Sequence, residues 1–444
     1  MCPAFRTLFR DGPGRGRTVF TLCPQSPGYP GAVLAVAQFH APLPLTNTIQ
    51  RYDWGSVDAV PHLLGLEPDG EPQAELWLGA HTSAPSVSLI EGEDVALDRL
   101  VREAPVQTLG HRVAEQFGPR LPYLLKVLAA GKALSLQVHP SPRQAREGFA
   151  RENKAGVPLT SPKRSFKDDQ HKPEMVVALS QFEGLAGFRT PRTILDVLEG
   201  LPGNLVEGVR AALLRDRSHD GMREAFNHLL SARSDAACAA DIEVTVDSVR
   251  ARLAAGSRFE RADRTVVDLA EQHPGDPGAI ASLMLNRFSL EPGEAAFTPA
   301  GVVHAYLSGL GIEIMASSDN VLRAGLTTKL VDEENLVACT VFSPQQPSAP
   351  EMTTAGSRGQ VHTYRVPVTE FALTTADVDP AEHVTLPATG PRILLCLAGE
   401  LKLDADRSED GPQRLVQGES VFVPHDAGNL VLSGAGHAVC AWVP

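Results

Sequence analysis

The sequence of 444 residues has no excess of basic charge: 40 Lys+Arg stand against 53 Asp+Glu, for a formal charge of −13. That balance argues against holding a polyanion by diffuse positive charge, which removes nucleic acid as a first partner. No run of about 18 apolar residues exists, which excludes a helical membrane span. With 43% hydrophobic and 21% charged residues the composition is that of a soluble globular chain long enough for several domains. Paired cysteines are missing as well. Cys2, Cys23, Cys238, Cys339, Cys396 and Cys440 lie far apart with no CxxC spacing, which excludes a cysteine metal or redox motif and fits unpaired thiols of a cytoplasmic protein. Lysine is scarce: it supplies eight of the 40 basic residues, and six of the eight (Lys126, Lys132, Lys154, Lys163, Lys167, Lys172) fall within 47 positions. Residues 121–175 carry ten Lys+Arg against five Asp+Glu, a charge of +5 that leaves −18 on the rest. One basic segment in an acidic chain points to a small anionic ligand bound in one place.

Residues 1–43 hold four arginines with Asp11 as the only acid and are rich in Gly and Pro. They are predicted to be an extension with little fixed structure, a transit peptide or an upstream start rather than a secretory signal. Over 44–190, β-rich runs at 86–90, 123–127, 133–138 and 174–179 predict an antiparallel β domain. The period changes over 191–278: Met222, Ala225, Phe226, Leu229 and Leu230 follow helical spacing, and 244–253 and 264–270 do likewise, which predicts a helical insertion. Strand-like runs resume at 283–290, 295–298, 311–315 and 328–331, so the first β domain is expected to complete itself over 279–343. Beyond a Pro-rich linker at 344–350, runs at 364–373, 392–397, 400–403, 420–423, 428–432 and 438–442 predict a second sandwich or jelly roll over 351–444. The fold class is mainly β with a helical insertion.

Three segments carry chemistry. In 133–139 the alternation puts Ser135, Gln137 and His139 on one face of a strand and Leu134, Leu136 and Val138 on the other. The polar face meets either solvent or something that pairs with it, such as a metal or a polar substrate. Lys172 and Glu174 share a face where HKPEM (171–175) enters a strand, and His171 points the other way; a surface Lys–Glu pair is the plain alternative. Pro299 and Gly301 make a turn that feeds a strand bearing His304, either a ligand or a hydrogen-bonded core histidine. Together Gln137, His139, Glu174 and His304 offer two imidazoles, a carboxylate and an amide oxygen, a set that suits a borderline cation such as zinc with one position open.

The segments LTNTIQRYDWG (45–55), AELWLGAH (74–81), YLLKVL (123–128), SLQVHP (135–140), DQHKPEM (169–175), FTPAGVVHAY (297–306) and GIEIMASSDNVLRAGLTTK (311–329) resemble the type I phosphomannose isomerases of the cupin superfamily, in the family's order. The resemblance starts at about residue 44. It implies two cupin barrels with a helical domain, one Zn2+ per chain on Gln137, His139, Glu174 and His304, and a catalytically important Arg323. It also implies interconversion of mannose 6-phosphate and fructose 6-phosphate by a cytoplasmic enzyme of carbohydrate metabolism, expected to be a monomer with a phosphosugar as its partner. A relative acting on another aldose or aldose phosphate, and a sugar-phosphate-binding protein without catalysis, are the alternatives.

Moving a proton between C1 and C2 through an enediol needs a base and a means of stabilising charge on the sugar oxygens. Glu313, flanked by Ile312 and Ile314, is the leading base, since burial would raise its pKa; a structural carboxylate paired with an arginine is the other reading. Lys172 is the rival, because a cation nearby would favour its neutral amine. Family proposals extend to His171 and Asp319, with His171 expected to orient a ligand. Arg323 and Lys329, with Ser135 and Lys126, form the expected phosphate clamp, although Arg323 could serve the enediolate instead. Asp53 and Trp54 are expected either in the pocket wall or as a buried aromatic with a capped Asp. The C-terminal segment lacks these elements, and its His425 and His437 have no matching partners, so its role is read as structural.

Overall fold

The computed structural model describes residues 39–444 except 235–236, 357–360 and 388–389; the expected N-terminal extension lies outside the described residues up to position 38. Its last residues are placed: Phe39 is buried, and Leu43–Pro44 forms a strand paired with Ser420–Val423. The chain thus enters the C-terminal sheet before it builds the first one.

The first large sheet has ten strands, with Leu285–Leu290, Phe182–Phe188, His304–Ala316, Tyr123–Ala130, Glu75–Gly79 and Thr48–Gln50 as its main path. The strands Leu136–Val138, Glu174–Ala178, Ala295–Thr298 and Leu322–Gly325 join it off that path. His304–Ala316 is its spine: the first half pairs with Phe182–Phe188 and the second half with both Tyr123–Ala130 and Glu174–Ala178. The change of partner falls at Gly309, whose φ is +119° and where a Cβ would sit 2.6 Å from the Gln181 carbonyl oxygen. Only glycine fits that bend.

Register then aligns distant residues. Arg323 pairs with Gln137 and Gln137 with His304, forming one row across three strands. Trp77, Lys126, Glu313 and Val176 form a second row, and Gly79, Leu124, Met315 and Glu174 the neighbouring one. Side chains in adjacent in-register positions share a face, so the rows bring ligand-type and acid–base groups onto one wall.

Helices fill the interval between Pro191 and Ala281. His219–Ser231 starts where the Ser218 hydroxyl accepts the Asp220 N–H, and Met222, Ala225, Phe226, Leu229 and Leu230 are all buried. Cys238–Ala254 and Glu260–Gln272 cover the other two helical runs. The Asp241 carboxylate caps Asn204–Arg215 from outside by accepting the Asn204 and Leu205 N–H groups. The buried faces of these helices share a core with Leu136, Val138, Leu322 and Ala324 of the sheet. Their packing holds the strands that bear Gln137 and Arg323.

The second large sheet has nine antiparallel strands built on Arg392–Ala405 and Leu430–Trp442. Several expected strands differ in extent. The expected run 364–373 is two strands, Val361–Arg365 and Ala372–Val378, because Pro367 falls between them and cannot donate to a ladder. The expected strand 328–331 is a loop: Leu326 has φ +53°, and the Thr327 N–H is taken by Asp276. The strand expected over 133–138 is confined to Leu136–Val138, and Leu134 packs in a different cluster with Phe182 and Tyr306.

Candidate metal centre

Glu174 begins a strand whose five residues are all buried, and its carboxylate is the meeting point of the site. Oε1 lies 2.8 Å from His304 Nε2; Oε2 lies 3.2 Å from His139 Nε2 and accepts a 2.7 Å hydrogen bond from Lys172 Nζ. The His139 Nδ1 contacts the Asn320 carbonyl at 2.8 Å and the His304 Nδ1 contacts the Val302 carbonyl at 2.9 Å. A carbonyl only accepts, so each Nδ1 carries the proton and each Nε2 is left with its lone pair. Two lone pairs and a carboxylate therefore face one another in a buried space, and His304 Nε2 has no hydrogen-bond donor. The Lys172 ammonium, 3.4 Å from His139 Nε2, relieves part of this crowding, and a further cation would relieve the rest, at His304 Nε2 and Glu174 Oε1. The three ligand atoms lie within 4.8 Å of one another, so the donor set fits a metal ion. Among the described residues no other three-residue group of His, Cys, Asp and Glu does so.

The turn that delivers His304 is tied to His139 directly, since the Gly301 N–H donates to the His139 carbonyl at 2.9 Å. Burial, reinforced by Lys172, pushes the His139 pKa down to about 4, which keeps the imidazole neutral. Burial pushes the Glu174 carboxyl up, but the Lys172 ammonium outweighs it and holds the group well below the usual range.

The centre opens into a cavity of about 800 Å³. Ser135, Gln137, Asp53, Trp54, Arg323 and Lys329 line it. Asp53 is exposed and Trp54 half-buried, so the pocket wall is their place rather than the core. The side chains of Arg323 and Lys329 make no hydrogen bond or ion pair with the described residues, and burial lowers the pKa of both, with Arg323 adding to the effect on Lys329. Two uncommitted cations on a polar wall are the features an anion needs.

Lys126 differs from the expectation of a phosphate anchor. Its ammonium lies 3.0 Å from Glu313 and 3.3 Å from Glu75, at 6% exposure, so its charge is already matched. Burial works to lower its pKa, but the two carboxylates outweigh it and the pKa is raised. Glu313 is paired with this lysine and not with an arginine. Burial raises its pKa and Glu174 adds to the rise, against the pull of Lys126. His171 is also corrected: it touches no ligand of the centre and instead contacts Glu370 of the C-terminal segment at 2.7 Å. His171 lies ahead of the strand, which begins only at Glu174, and the fold supplies it with a carboxylate from the C-terminal segment. Asp319 lines the cavity itself, 3.3 Å from His81 Nε2, rather than backing a metal ligand.

Sequence reasoning missed Tyr306, Glu75, His81 and Asn320. The Tyr306 hydroxyl donates toward Glu174 Oε1 at 3.5 Å, and burial, followed by Glu174 and Glu313, raises its pKa well above normal. Glu75 accepts from Trp77 Nε1 at 2.7 Å and faces Lys126. The alternation Glu75–Trp77 within AELWLGAH was the available signal for the first of these pairs.

A family model described as phosphomannose isomerase type I, catalytic domain, matches residues 43–191, and the model of the type I C-terminal region matches 364–408. Mannose-6-phosphate isomerase of Salmonella typhimurium is 36% identical over 396 residues, spanning 88% of this chain and 97% of that protein. The chain belongs to the type I phosphomannose isomerase family. Mannose-6-phosphate isomerase 1 of Arabidopsis thaliana, 33% identical over 86% of this chain and 89% of its own, shows that the likeness reaches plants. A zinc-bound crystal structure of mannose 6-phosphate isomerase superposes with a TM-score of 0.80 at 33% identity, covering 90% of this chain and 99% of that one. The mostly β architecture with helices is therefore that of the phosphomannose isomerases.

Proposed function

We propose that this chain is an aldose–ketose isomerase that interconverts mannose 6-phosphate and fructose 6-phosphate, with one zinc ion held by His139, Glu174, His304 and Gln137. The observation that carries this reading is the pair of unprotonated Nε2 atoms turned onto the buried Glu174 carboxylate, which lines the same cavity as the uncommitted Arg323 and Lys329 side chains. One end of the cavity suits a cation beside a sugar carbonyl, and the other suits a phosphate. When bound, zinc supplies a Lewis acid for the sugar oxygens on which negative charge develops.

Glu313 is assigned the proton transfer between C2 and C1. A carboxylate whose pKa is raised by burial accepts a carbon-bound proton more readily than an ordinary one, and Lys126 keeps it ionised and oriented. Lys172, bonded to Glu174, is assigned the positioning of that ligand. Arg323, Lys329 and Ser135 hold the phosphate, while Asp53 and Trp54 close the wall.

The same reading takes the two large sheets as cupin barrels, catalytic over 44–190 and 279–343 and C-terminal over 351–444, with 191–278 as a helical domain. The interior of the C-terminal sheet is filled by Leu394, Cys396, Leu401 and Leu430, which supports a structural role for it. Cys339, Cys396 and Cys440 are free and buried, in keeping with a cytoplasmic enzyme. The active unit is a single chain.

A coupled assay on mannose 6-phosphate tests the proposal. Chelation is expected to abolish turnover and one equivalent of zinc to restore it. Full activity in metal-free protein, or no turnover of mannose 6-phosphate with zinc bound, overturns the reading.

A further inference from the structure

The carbonyl that fixes His139 belongs to Asn320, and the side chain of Asn320 is fully buried. Its amide hydrogen-bonds entirely to one neighbouring segment. Oδ1 accepts the Lys167 N–H at 2.7 Å and the Asp168 N–H at 3.4 Å, while Nδ2 donates to the carbonyls of Asp168 at 2.9 Å and Gln170 at 2.7 Å and to Asp168 Oδ1 at 3.2 Å. The Asp168 carboxylate answers from the other side, accepting from Ser318 Oγ at 2.9 Å, from the Asp319 N–H at 2.8 Å and from the Gln170 N–H at 2.9 Å. Two loops are thus sewn together by one amide and one carboxylate.

Both loops lead into the site. The segment 318–320 runs into Leu322–Gly325, whose Leu322 pairs with Val138 and whose Arg323 pairs with Gln137, and it carries Asp319 toward His81. The segment 167–170 runs directly into Lys172 and Glu174. We infer that Asn320 and Asp168 are positioning residues of the metal centre, holding the Asn320 carbonyl on His139 Nδ1 so that Nε2 is the free lone pair, and holding Lys172 and Glu174 opposite it. This inference rests on the reading of His139, Glu174 and His304 as the zinc site. An aspartate at 320 could not donate to the two carbonyls, and an alanine would leave the Asp168 carbonyl and two N–H groups without partners and the Gln170 carbonyl with Ser318 Oγ alone, so the chemistry of the clasp is specific to an amide.

Zinc competition with a chelator on the full chain, with thermal melting alongside, tests this. Asn320→Ala and Asp168→Asn are each expected to weaken zinc by about ten- to a hundredfold, the range found when a group orienting a metal-bound histidine is removed. Thr245→Val removes a buried side-chain hydrogen bond in the helical region, from Thr245 Oγ1 to the Pro202 carbonyl, and serves as the comparison for general destabilisation. It is expected to lower the melting temperature without changing zinc affinity. If Asn320→Ala does not fold, Asp168→Asn, which preserves size and one acceptor oxygen, decides alone. Zinc affinity within threefold of the parent in the folded variants, or an equal loss in Thr245→Val, overturns the inference. His304→Ala separates the two levels: zinc retained there refutes the zinc site itself, whereas zinc lost there but kept in Asn320→Ala and Asp168→Asn refutes only the clasp.

Discussion

Glu174 engages both imidazoles and a lysine at once, and this concentration of acceptors governs the behaviour of the site. Glu313 sits in the adjacent row of the same wall, close enough for Glu174 to raise its pKa yet tied to Lys126 rather than to a ligand. Replacing it tests whether the two carboxylates have separate roles. Glu313→Gln is expected to retain zinc by metal analysis and to lower kcat about 10²- to 10⁴-fold, the usual contribution of a positioned base. Normal exchange of the C2 proton with solvent in that variant would remove Glu313 from the proton path. At the far side, Lys329→Ala is expected to weaken mannose 6-phosphate binding about tenfold or more, in line with about 1.5–3 kcal/mol for a hydrogen bond to a charged group. Lys402→Ala, an exposed lysine of the second sheet, is the comparison, and equal effects in the two variants would displace the phosphate from Lys329. Residue types made the three side chains able to hold a metal readable in the sequence. They did not reveal that Lys126 is neutralised, because Glu75 and Glu313 lie 51 and 187 positions away from it.

Helical periodicity was the clearest signal at the scale of elements. The stripe from Met222 to Leu230 is buried as its spacing requires, since a helix with one apolar face must cover it. Phe226 is fully buried and stacks edge-on against Phe188 of the first sheet at a 5.3 Å centroid distance, so it couples the helices to the strands. Phe226→Ala is expected to cost about 3–5 kcal/mol, read as a lower urea midpoint. A shift no larger than that of an exposed position such as Leu214→Ala would show that the helices do not brace the sheet. Gly309 teaches the converse. Nothing in the local pattern marks it, yet a Cβ there meets both the Gln181 carbonyl oxygen and Phe182. The run 364–373 reads as continuous by composition, and only Pro367 betrays the turn.

Burial in the two sheet domains sets the ionisation of three thiols among the described residues. Burial pushes Cys339 and Cys440 up to about 12 and Cys396 up to about 11, from an ordinary value of 9.0. A raised acid pKa means that the folded state disfavours the thiolate, so this contribution to stability is complete below pH 9 and is lost as pH rises through 9 toward 12. Folded protein at pH 8 is expected to leave these three cysteines unlabelled by a thiol reagent, with peptide mapping as the readout, and urea is expected to expose all of them. Rapid labelling of Cys440 without denaturant would contradict the packing of the second sheet.

The sequence by itself determined the classes of chemistry, the order of β and helical segments, and the acidic chain with one basic stretch. Those properties are local: residue type sets ligand chemistry, and period sets which face a side chain takes. Tertiary structure alone decided which charges are matched and which remain open. It committed Lys126 to two carboxylates, turned His171 onto Glu370, placed Asp319 on His81, and set Asn320 between His139 and Asp168. Each partnership joins positions far apart in the chain: strand register brings Lys126 to its two carboxylates, and the loops that the assembled strands hold side by side bring the others together.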